Sequence, residues 1–149
     1  MIENLLLVII AIVGSILTFY VNHQLKQGPV RSSAMLSLAV ATFFYLFPSL
    51  LNEHLTKNIP VVFIGGSFIG MVSKKMISSY FSLFISAVVF AVIYLNASTF
   101  FNGYGGALGA SAGISLLSVL SLPFISPKKH QRTNGILQLR KLLFGRNKN

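Results

Sequence analysis

The chain contains no cysteine and no aspartate, and only two glutamates, Glu3 and Glu53, among 149 residues. The first absence excludes disulfides, thiolate metal sites and thiol chemistry, and removes any redox clue to compartment. The second leaves almost no carboxylate for acid–base work or for a proton relay. Charged residues make up 9% of the chain, where an average soluble domain carries about 25%. What charge there is has one sign, with twelve Lys and Arg against two acids and a net +10. Against this scarcity stand 54% hydrophobic residues and a mean hydropathy of +0.75, a composition of the membrane class. The length suits one compact bundle and no separate soluble domain.

A net charge of +10 raises nucleic acid as a partner, but the placement of the cations argues against it. Seven of the twelve follow Pro127, and most others sit in short connections between apolar runs. That is the pattern of topology signals and of attraction to anionic lipid at the inner leaflet.

Five apolar runs organise the chain, over about 4–21, 33–51, 60–73, 76–95 and 104–125. The first begins after Met1-Ile2-Glu3-Asn4, which carries an acid and no basic residue, so it reads as a retained span rather than a signal peptide. His23 to Arg31 reads as a turn closed by Gly28-Pro29, and Asn52 to Asn58 as a loop. Pro48 ends or kinks the second run. The third run spans fourteen residues, about 21 Å as a helix, short of a hydrocarbon core about 30 Å thick. It is expected to be short, re-entrant or broken, with Pro60 in its first turn.

Placing the first connection in the cytoplasm puts Lys26, Arg31, Lys74, Lys75 and the tail cations inside, and Lys57 alone outside. The N-terminus is then outside and the C-terminus inside. Tyr20, Tyr45, Tyr80, Tyr94 and Tyr104 all fall near span ends, as an aromatic belt requires. The expected fold is an all-α integral membrane bundle of about five transmembrane segments over residues 1–127. A basic cytoplasmic tail over 128–149 follows, and its Lys128, Lys129, Arg132, Arg140 and Lys141 are the expected lipid-binding residues. Ile136, Leu139, Leu143 and Phe144 among those cations suit a short helix on the membrane surface.

Glycine carries the strongest local signal. Gly105, Gly109 and Gly113 recur every four residues, a groove that lets a second helix approach closely. Gly65, Gly66 and Gly70 form a shorter version. Gly66, Gly70, Gly105, Gly109 and Gly113 are therefore expected at helix contacts, and backbone near Gly65, Gly66, Gly105 and Gly106 is a candidate for a solute pathway. Serine stripes on the fourth run (Ser78, Ser82, Ser86) and the fifth (Ser111, Ser115, Ser118) read as interhelical hydroxyl bonds or as a polar conduit. The fifth run, with glycine on one side and serine roughly opposite, is expected to be central. Of these, Ser82, Ser86, Ser111 and Ser115 join the glycines as candidate pathway-lining residues.

Catalysis and metal binding find no constellation. The apolar runs contain no acid or base, and His23, His54 and His130 are isolated from one another. Gly109-Ala110-Ser111-Ala112-Gly113 has the form G-x-S-x-G, yet no histidine lies on a neighbouring run to activate Ser111. No enzyme activity, cofactor or metal is expected. Gly105-Gly106-Ala107-Leu108-Gly109-Ala110 resembles the Gly-Gly-x-x-Gly-Ala string of the small bacterial fluoride channels. The resemblance covers six residues. Where that family has an arginine soon after, this chain has Ala112 and Gly113, and the cation bias forbids the family's dual orientation. Membership is not inferred.

The leading expectation is a small, passive, oligomeric channel or facilitator for an ion or small solute in a bacterial cytoplasmic membrane. The alternative is a non-transporting structural or accessory subunit, or a holin-like lesion former, that docks a partner through its glycine grooves. The partners expected are the lipid bilayer and either copies of the chain or a larger membrane protein.

Overall fold

A computed structural model describes residues 2–77, 79–97 and 105–125. Five α-helices follow one another: α1 (Ile2–Gln24), α2 (Pro29–Leu46), α3 (Glu53–Gly70), α4 (Tyr80–Ala97) and α5 (Gly105–Ile125). A single 3-10 turn, Pro48–Leu50, lies between α2 and α3. There is no strand among the described residues. Two of these helices, α1 and α2, are long and apolar enough to cross a membrane.

The helices extend beyond the apolar runs because their ends carry their own capping chemistry. Glu3 in the first turn of α1 and His23 in its last suit the helix dipole. Gly28, at φ 85°, turns the chain into α2, and Pro29 occupies the first-turn position where its missing N–H costs nothing. His23 and Gln24 thus belong to α1, and Val30 and Arg31 to α2, so the turn between them is shorter than the composition implied. Pro48 closes α2 by starting the 3-10 turn.

The third segment departs furthest from expectation. It is one continuous helix of 18 residues that begins at Glu53, so Asn52 to Asn58 is not a loop. Pro60 lies in its interior, not in its first turn. The added turns hold because Glu53 sits at the positive end of the dipole, Lys57 Nζ meets Glu53 Oε1 at 2.6 Å, and the Asn58 amide donates to the His54 carbonyl at 2.7 Å. Eighteen residues give about 27 Å, but the mostly polar stretch from Glu53 to Asn58 leaves the apolar part of α3 shorter than a hydrocarbon core about 30 Å thick.

The helix packing described below belongs to one compact unit, residues 1–119. The most extensive pairing is α1 with α3, followed by α1 with α4 and α2 with α3. Helices α1 and α3 run parallel: Glu3 meets His54 at one end, Ala11 meets Gly66 in the middle, and His23 meets Val72 at the other. Helices α1 and α3 each touch the other and both α2 and α4, so this parallel pair is the centre of the packing. The expectation of a central α5 is corrected, because among the described residues α5 has no comparable pairing with α1–α4.

Candidate functional site

The polar interior lies where α1, α2 and α3 meet. On α1 the buried residues are Leu7, Ala11, Gly14, Ser15, Thr18, Phe19 and Asn22, a stripe at helical spacing made mostly of small or polar side chains. Helix α3 answers with Gly66 and Gly70. A Cβ on Gly66 would stand 2.5 Å from the Ala11 carbonyl oxygen, and one on Gly70 would overlap the Ser15 carbonyl oxygen and crowd Thr18 Cβ at 2.7 Å. On α1, a Cβ at Gly14 would stand 2.9 Å from the Phe63 carbonyl oxygen. Backbone therefore meets backbone across this pair, which only hydrogen-sized side chains permit.

One residue further, Ser67 turns toward α2. Its proton goes to the Ile64 carbonyl at 2.7 Å, which leaves two lone pairs. The hydroxyls of Ser33 at 2.7 Å and Ser37 at 3.3 Å donate to these, so Ser67 has every hydrogen-bonding position filled. Gly65, on another side of α3, faces α4, where the Phe90 ring fills the space a Cβ would need.

Two features mark the lower end of this seam. Thr18 Oγ1 is fully buried with no hydrogen-bond partner among the described residues. One turn on, His23 Nε2 lies 3.0 Å from the Val72 carbonyl oxygen, which makes that ring nitrogen the donor and ties the end of α1 to the α3–α4 connection. Phe19 stacks edge-on with both His23 (centroids 4.3 Å) and Tyr80 (5.5 Å). At the opposite end, Glu3 accepts from Asn52 and faces His54 at 3.4 Å, and Tyr94 Oη donates to Asn58 Oδ1 at 2.6 Å. There the exposed Glu53 carboxyl is held below the usual carboxylate range by the hydrogen bond from Lys57, then by its charge.

The residues singled out from the sequence are distributed unevenly over this arrangement. Gly65, Gly66 and Gly70 lie in packed contacts of α3. Gly106, Gly109 and Gly113 have no atom within 4 Å of a notional Cβ among the described residues, and Gly105 opens α5. Ser86, Ser111 and Ser115 are buried, and each hydroxyl donates to a carbonyl three or four residues back in its own helix: Ser82, Ala107 and Ala112 respectively. Ser82 is half-buried. The bonds of Ser86, Ser111 and Ser115 stay within their own helices, whereas serine–serine bonds between helices join Ser33 and Ser37 of α2 to Ser67 of α3. Ser78, Tyr104, His130 and the tail cations Lys128, Lys129, Arg132, Arg140 and Lys141 lie outside the described residues.

Sequence reasoning missed Ser33, Ser37, Ser67, Ser15, Thr18 and Asn22. A signal was present: Ala11, Ser15, Thr18 and Asn22 recur at steps of four, three and four on a helix otherwise built of large apolar residues. Among the described residues no group of three or more His, Asp or Glu is placed to hold a metal. No family model, curated protein or solved structure matches the chain.

Proposed function

We propose that this chain is a multi-pass integral membrane protein, N-terminus outside and C-terminus inside, that serves as a non-transporting structural or accessory subunit. The observation that carries the membrane reading is the exposure of large apolar stripes on α1 and α2 while small and polar side chains are buried between the helices. On α1, Ala11, Gly14, Ser15, Thr18 and Asn22 are inside with Leu7 and Phe19, whereas Leu5, Ile9, Val13 and Leu17 form an exposed stripe. On α2 the buried residues are Ser32 and Ser33, while Met35, Leu38, Phe43 and Leu46 face outward. Water would drive the opposite arrangement, because each large apolar side chain left exposed forgoes about 1.5–3 kcal/mol. Lipid removes that penalty and rewards close backbone approach instead.

The accessory role is favoured over transport by what fills the glycine positions of α3. Gly65 and Gly66, candidates for a pathway, face the Phe90 ring and the Ala11 backbone. The glycine row of α5 is left as the segment that takes a helix from a second copy or a larger subunit in a bacterial cytoplasmic membrane. A passive channel assembled from several copies is the second reading, favoured by the burial of Ser86, Ser111 and Ser115.

Reconstitution tests both. Purified protein in liposomes should resist alkaline extraction and pass no K⁺, Na⁺, Cl⁻, F⁻ or protons above empty vesicles. Release from the vesicles by alkali would overturn the membrane reading. Selective flux that Ser115→Leu abolishes would replace the accessory role with the channel, and leakage of a large dye would replace it with lesion formation.

A further inference from the structure

The last turns of α1 meet the α3–α4 connection and the start of α4 at one end of the helices, through the His23–Val72 hydrogen bond at 3.0 Å and the Phe19–Tyr80 ring contact at 5.5 Å. Exposed cations cluster at this end: Lys26 just past α1, Arg31 in the first turn of α2, and Lys74 and Lys75 in the α3–α4 connection. No carboxylate reaches them. Glu3 is engaged by His54 and Asn52, and Glu53 by Lys57, all at the opposite end. Four cations therefore share one end without an acid from the described chain to offset them.

Local backbone adds to this field rather than relieving it. Helix α2 starts at Gly28 with no side-chain cap and no acid in its first turn, and Arg31 stands there instead. A cation near a helix N-terminus is opposed by the dipole, and an external anion relieves that opposition. Lys26 has a φ of 52°, a conformation that glycine or asparagine adopts with less strain, yet a lysine occupies it. Tyr20 and Tyr80 are exposed at the same level, with apolar rings and polar tips suited to the headgroup boundary.

We propose that Lys26, Arg31, Lys74 and Lys75 form a basic seat for the headgroups of anionic phospholipids at this end of the helices, built without the basic tail; this rests on the membrane reading above. The phosphodiester accepts hydrogen bonds from the guanidinium and the ammonium groups, and the acyl chains continue along the exposed apolar stripes of α1 and α2.

The test uses the full chain purified in mild detergent and mixed with equal amounts of phosphatidylglycerol and phosphatidylcholine. Retained lipid is counted by native mass spectrometry. Phosphatidylglycerol should be retained in preference, and retention should fall about five-fold for each cation removed by K26Q, R31Q, K74Q or K75Q. The Lys26→Arg, Lys74→Arg double variant should retain it, as should a chain with Lys128, Lys129, Arg132, Arg140 and Lys141 changed to Gln. Excess inorganic phosphate should leave the lipid bound; displacement would assign the seat to free phosphate and overturn the lipid site. Equal retention of both lipids by the unaltered protein, or undiminished retention after the four Gln changes, would also overturn it. If the fourfold variant fails to fold, the unaltered protein decides: phosphatidylglycerol retention that ignores added salt sinks the proposal. Flotation with phosphatidylcholine vesicles separates the two readings. A chain that floats without preferring phosphatidylglycerol fails this proposal alone, and one that does not float fails the membrane reading.

Discussion

Gly70 lies so close to Ser15 that a single methyl group on Gly70 would overlap the Ser15 carbonyl oxygen. This contact, with its neighbour between Gly66 and Ala11 one turn away, sets the distance between α1 and α3. The glycines of α5 have the same spacing and no such neighbour among the described residues.

Alanine substitution should separate the two glycine segments. Gly70→Ala and Gly66→Ala push against backbone, which cannot rotate away, and should each destabilise the folded chain by about 1–3 kcal/mol. Gly109→Ala meets open space and should be neutral or stabilising by up to about 1 kcal/mol, through helix propensity. Unfolding titrations in mixed micelles give all three values. A Gly109→Ala loss as large as that of Gly70→Ala would place a partner on α5 in the same micelle.

The serines should divide in the same way. Ser67→Ala removes the acceptor of Ser33 and Ser37, two interhelical bonds worth about 0.6 kcal/mol each, and should cost about 1 kcal/mol. Ser86→Ala removes a bond to a carbonyl of its own helix and should change stability by less than about 0.5 kcal/mol. A double-mutant cycle between Ser33 and Ser67 should return a coupling energy, and one between Ser86 and Ser115 should return none.

Thr18 carries a buried hydroxyl with no partner among the described residues, so its removal should help. Thr18→Val keeps the shape and deletes the unsatisfied oxygen, and should raise stability by about 1 kcal/mol. Thr18→Ala also removes a methyl group from a fully buried side chain and should gain less. A fall in stability with Thr18→Val would mean that the hydroxyl has a partner in the membrane-embedded protein, such as a bound water.

The absence of cysteine makes topology directly measurable, because any introduced thiol is the only one in the chain. Lys57→Cys should react with an impermeant maleimide from outside intact cells. Lys26→Cys and Lys74→Cys should react only after the membrane is opened. Labelling of Lys74→Cys from outside would place the α3–α4 connection on the wrong face and break the alternation of the segments.

Hydropathy and charge placement alone were enough to read an all-helical chain with most helix positions close to those observed, because helix formation is local and each apolar run is bounded by polar or proline punctuation. The identity of Gly66 and Gly70 as contact residues was also legible, since small residues four apart have few other uses in an apolar helix. The start of α3 was not, because Asn52, Glu53 and Lys57 look like a polar loop until Glu53 is seen bonded to Lys57 along a helix. Nor could the sequence rank its two glycine segments. Gly65-Gly66 and Gly105-Gly106 carry the same local signal, and the longer row of α5 seemed the better candidate for the centre. Which groove is filled depends on what the rest of the chain can bring to it. The first helix offers Ala11, Gly14, Ser15 and Thr18 on one face, parallel to α3 and in register with Gly66 and Gly70. That match between residues about fifty positions apart exists only in the tertiary structure, and it makes the α1–α3 pair rather than α5 the centre around which α2 and α4 pack.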